Sequence, residues 1–109
     1  VPQGLLEEVF GLNEELEAIQ DMRAEGASAS EIALRLSAAR RPVEANLDRH
    51  EEQLHALMAE HDACLEGGDT EGRHAALSRL RTLLLERTYL MNLLATVRRE
   101  TGAAEAAAS

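Results

Sequence analysis

Three features of the sequence predict an all-α fold. Leu and Ala supply most of the apolar residues, which form 45% of the chain, and both favour helix over strand. Aromatic residues are limited to Phe10 and Tyr89, and Trp is absent, so the large cross-strand side chains of a sandwich or barrel are missing. Apolar positions recur at alternate steps of three and four in three successive segments, which is the stripe of a helix packed on one face. With 109 residues, one small domain is expected.

The first helix is expected over residues 4–25, where Leu5, Val9, Leu12, Leu16 and Ile19 make one stripe and Gly26 stands just past the end. The second opens at Ser28-x-x-Glu31, a capping-box pattern, or with Ser30 as its cap. Its stripe is Ile32, Leu36, Ala39, Val43, Leu47, His50, Leu54, Leu57, His61 and then Cys64 or Leu65. Pro42 falls inside that stripe, where proline removes a helical hydrogen bond. The register nonetheless runs straight through from Ala39 to Val43 to Leu47, so a kinked but continuous helix is expected. Gly67-Gly68 ends it, and Asp69 or Thr70 can cap the third helix, whose face is Ala76, Leu80, Leu83, Leu90, Leu94 and Val97. So short a turn between two helices of roughly 50 Å permits only an antiparallel pair. The prediction is a three-helix antiparallel bundle with a long coiled-coil hairpin of helices two and three. Residues 1–101 form the domain, and 102–109 read as a disordered tail after Thr101-Gly102.

Charge and cysteine content narrow the function. A net charge of −9 argues against nucleic acid as a partner. All 11 cations are Arg. Residues 1–25 hold seven acids against Arg23 alone, a balance of −6, while residues 73–99 hold six arginines against Glu86, a balance of +5; such helices should attract each other. The lone Cys64 excludes a disulfide framework and a zinc site of several thiolates. His61-x-x-Cys64 sets two possible ligands on one face, Glu60 is adjacent, and His74 would lie near the turn. The arrangement is read as a core-edge histidine and a small buried thiol, with no metal or other cofactor expected, and His55 is expected in solvent. Paired acids such as Glu14-Glu15 and Glu51-Glu52 are read as solvated helix faces. No phosphate loop, nucleophile elbow or facing pair of Glu-x-x-His motifs occurs, so no enzyme is expected. Neither a membrane-length apolar run nor a signal-peptide pattern is found, and the expected location is cytoplasmic. The chain opens at Val, as a piece of a longer protein would.

Some apolar residues fall outside the stripes. Leu6 and Phe10 lie about 100° and 140° around the helix from Leu5, flanked by Glu14 and Glu17. They are either an exposed patch for a partner or part of a broader core with helix one wedged between the other two. Leu85 and Tyr89, one turn apart on helix three, sit well off the face centred on Leu83.

The segment Leu5-Leu6-Glu7-Glu8-Val9-Phe10-Gly11-Leu12-Asn13-Glu14-Glu15-Leu16 resembles the start of the C-terminal domain of HscB-type co-chaperones, the J-domain proteins of iron–sulfur cluster assembly. Arg87-Thr88-Tyr89-Leu90-x-x-Leu93 is similar to the basic–aromatic–Leu segment of that family's last helix. The Gly-Asp turn ahead of the third helix and the order of the motifs also fit, from about Pro2 to Glu100. The resemblance implies a non-catalytic adaptor that binds an IscU-type scaffold protein through Leu6, Phe10, Glu14 and Tyr89, for delivery to an Hsp70-type chaperone. Contact with that chaperone would need the J-domain, which this chain lacks, since no His-Pro-Asp occurs. The alternative is a structural coiled-coil or dimerisation module that uses the leftover apolar residues for self-association.

Overall fold

Two of the helix ends predicted at glycine, those after the first and second helices, close in the same way. Gly26 (φ 85°) and Gly68 (φ 72°) take the left-handed conformation, where a residue lacking Cβ meets no steric penalty. At the first, the Ala27 amide donates to the Met22 carbonyl (2.9 Å) and the Gly26 amide to that of Arg23 (3.1 Å). At the second, Asp69 donates to Cys64 (2.8 Å) and Gly68 to Leu65 (3.4 Å). These paired bonds satisfy carbonyls that the last helical turn leaves open. The Ser28 hydroxyl accepts from the Glu31 amide at 3.1 Å, and the Asp69 carboxylate accepts from Gly72 at 2.9 Å, so each following helix starts on a capping side chain.

A computed structural model describes residues 2–108. A 3₁₀ turn, Gln3–Leu5, leads into α1 (Leu6–Ala24), followed by α2 (Ala29–Gly67) and α3 (Thr70–Ala108). There is no strand among the described residues. The chain is an all-α three-helix bundle, with α2 and α3 packed against each other as a long antiparallel hairpin. Each of these two helices has 39 residues, or about 58 Å, and the molecule measures 63 × 25 × 14 Å. Pro42 lies inside α2 without ending it.

The predicted stripes form three apolar clusters. Leu5, Val9 and Leu12 meet Val43 of α2 and Leu90, Leu94 and Val97 of α3. Ile19 joins Ile32, Leu36 and Ala104. Toward the hairpin tip, beyond α1, Leu54, Leu57 and Leu83 pack in a two-helix layer. Full burial of each large aliphatic side chain contributes about 1.5–3 kcal/mol, and Leu36, Leu90 and Val97 are completely enclosed.

Three expectations are corrected. The tail predicted as disordered is helical to Ala108, with Ser109 outside the described residues. Ala104 is buried against Ile19, Ile32 and Leu36, so packing and the Ala-rich composition carry the helix through Gly102. Helix one begins as a 3₁₀ turn because Leu5 donates to Pro2 (3.0 Å). The acid–base attraction between α1 and α3 also takes another form. Arg23 of α1 pairs with Glu100 of α3 at 2.6 Å, and Glu15 of α1 pairs with Arg35 of α2 at 2.7 Å. No α1 acid pairs with an α3 arginine among the described residues.

Candidate partner-binding surface

Helix α1 packs with Leu5, Val9, Leu12 and Ile19 buried and Leu16 half-buried, so the position about 140° away, where Phe10 stands, faces outward. Phe10 is 60% exposed, and Glu14 is exposed beside it on the next turn. The wedged arrangement that would have buried Phe10 is therefore not adopted. Leu6 is half-buried. Tyr89 is also half-buried and lies against the cluster that contains Leu5, Val9 and Leu90. One turn before it, Leu85 is 68% exposed.

A buried polar contact lies one turn before Tyr89. His50 of α2 and Glu86 of α3 face each other, Nε2 to Oε1, at 3.2 Å, with 9% and 13% of their side chains exposed. The other ring nitrogen, Nδ1, donates to the Asn46 carbonyl at 2.9 Å. The Glu86 carboxylate also lies so close to the Gly4 backbone that a Cβ there would strike it. One pair thus joins both long helices and the turn that opens α1, three residues before Tyr89. Its signal was present in the sequence, since His50 and Glu86 each stand 18 residues from Gly68, which makes them opposite in an antiparallel hairpin. What the stripe pattern hid was that a charged residue would sit inside the seam.

The hairpin tip holds the histidines and thiol that the sequence offered as possible ligands. Among the described residues, no three His, Cys, Asp or Glu side chains converge as a metal site. His61 Nδ1 is 3.5 Å from Asp62, and the Cys64 thiol donates to Asp69 at 3.9 Å. Desolvation, then the charges of Asp69 and Glu60, push the Cys64 thiol up, which suppresses the thiolate needed for nucleophilic attack or metal binding. His55 and His74 are exposed. No helix of the described residues is long and apolar enough to cross a membrane.

No protein family, curated protein or solved structure matches this chain.

Proposed function

We propose that the chain is a non-catalytic adaptor domain, of the kind found at the C-terminus of HscB-type co-chaperones, that binds an IscU-type iron–sulfur scaffold protein in the cytoplasm. The observation that carries this reading is the outward Phe10. It is a large aromatic left 60% exposed on an otherwise acidic helix flank, although the same helix buries Val9, Leu12 and Ile19. Such a residue is costly to leave in water and suits a desolvated interface anchor. Leu6, half-buried one turn earlier, and Tyr89, half-buried on the α1 cluster, extend the anchor, while Glu14 orients a basic partner surface. Delivery to an Hsp70-type chaperone would be the task of a J-domain, so this chain alone should leave the ATPase unstimulated.

Titration calorimetry against an IscU-type scaffold tests the reading, with circular dichroism as the control for folding. Phe10→Ala is expected to weaken binding by about 1–3 kcal/mol, the range of anchor truncations, and to keep the helical spectrum. Glu14→Gln should cost less and act mainly at low salt. Normal binding by Phe10→Ala would remove the surface from consideration. A second reading, self-association, draws on exposed Met58, Leu84 and Met91 on the hairpin. Light scattering after size exclusion separates the two, because that reading requires a concentration-dependent dimer indifferent to the scaffold.

A further inference from the structure

The opposite flank of α1 carries a second feature. Glu15 lies about 180° around the helix from Leu6 and about 140° from Phe10 and belongs to the seam between α1 and α2, while Glu7, one turn before Phe10, stands at the border of the two flanks. Along that seam runs a groove of ≈450 Å³ floored by Leu12, Ala39 and Val43. It is open because the residues that should fill it are small. A Cβ placed on Gly11, which lines the groove, would meet nothing within 4 Å. Ala38 and Pro42 form the α2 wall.

The free polar groups of this groove are all acceptors. Pro42 has no N–H, so the Ala38 carbonyl four residues earlier loses its helical donor. Glu7 and Glu8 edge the groove on the α1 side, are exposed, and form no ion pair among the described residues. Of the nearby α2 cations, Arg35 is held by Glu15 at 2.7 Å and Arg40 by Glu44 at 2.8 Å, and Arg41 is exposed and does not line the groove. An occupant must therefore bring apolar surface together with cationic donors. An open seam between two helices cannot enclose a small molecule as ligand pockets do, but it matches the groove into which an amphipathic helix lays its apolar face.

We infer that the α1–α2 groove docks a basic amphipathic segment of a partner protein. An aliphatic side chain sits over Leu12, Ala39 and Val43, and Lys or Arg side chains reach Glu7, Glu8 and the Ala38 carbonyl. The groove is lined by none of Leu6, Phe10, Glu14 and Tyr89, though Glu7 stands on the border with that surface, and the inference does not rest on the scaffold-binding reading.

Fluorescence anisotropy with a labelled synthetic helix carrying Leu and Lys at i, i+3 and i+4 spacing tests the site, against a twin in which Glu replaces Lys. The Lys peptide should bind, with affinity falling as salt rises, and the Glu twin should not. Gly11→Leu fills the groove from within and replaces a helical glycine by a better helix former. It should keep the circular dichroism spectrum and weaken the peptide at least about tenfold, the effect of losing one modest anchor. A Glu7→Gln, Glu8→Gln double variant carries the test independently of packing, and should weaken binding and flatten its salt dependence. Phe10→Ala should leave the peptide's affinity unchanged, which separates this site from the proposed scaffold surface. Equal binding of both peptides, full affinity in the Gly11→Leu and double variants, or no binding of the Lys peptide up to about 1 mM would overturn the inference.

Discussion

His50 of α2 and Glu86 of α3 meet beside the turn that opens α1. The pair is nearly enclosed, so removing one member strands the other's polar atoms away from water. Leaving a buried partner unsatisfied costs about 1–3 kcal/mol. His50→Leu is expected to lower the urea midpoint by an equivalent amount, and the double variant His50→Leu, Glu86→Leu should recover much of the loss because no orphan remains. Equal losses from the single and double variants would show that the contact is packing alone. Gly68 is a second residue with a position-specific task. Its φ of 72° costs an L side chain about 1–2 kcal/mol, and Gly68→Ala should lose about that much in chemical denaturation.

At the scale of the element, α2 is a helix continued against a local fault. Pro42 withholds one hydrogen bond, yet Ala39, Val43 and Leu47 keep packing on the first cluster, and burial outweighs the fault. Pro42→Ala restores the donor to Ala38. The variant should gain about 2 kcal/mol, the proline penalty less the entropy that proline removes from the unfolded chain. The Glu15–Arg35 bridge between α1 and α2 adds a pH dependence. The hydrogen bond from Arg35, opposed by slight desolvation and aided by its charge, holds the Glu15 carboxyl below its ordinary value of 4.5. A depressed carboxyl stabilises the fold above its unfolded value, and that contribution is lost as pH falls through the folded one. The thermal midpoint of Glu15→Gln should thus lie below that of the native chain near neutrality, and the gap should close in acid. The element boundaries were legible where chemistry is local, as at Ser28, Gly26 and Gly68, whose capping depends on a few neighbours. Gly102 misled because its fate was decided by Ala104 reaching Ile19 and Ile32, residues distant in sequence.

For the whole molecule, the main asymmetry is that α1 covers only one half of the hairpin. The near half has two clusters that include α1 residues, whereas the tip half relies on Leu54, Leu57 and Leu83. Amides around the tip should exchange hydrogen faster than those near Leu90 and Val97, which would open only with the global transition. Periodicity was enough to place Phe10 off the core stripe, but not to decide between exposure and a wedged core, since that choice depends on how α1 sits against two helices at once. Its exposure makes the surface testable in one titration. With isotopically labelled protein and an unlabelled IscU-type scaffold, amide shifts should concentrate at Leu6, Phe10 and Glu14 and at Tyr89, and should disappear with Phe10→Ala. Shifts confined to the hairpin tip, or none at scaffold concentrations up to about 1 mM, would contradict the proposed role.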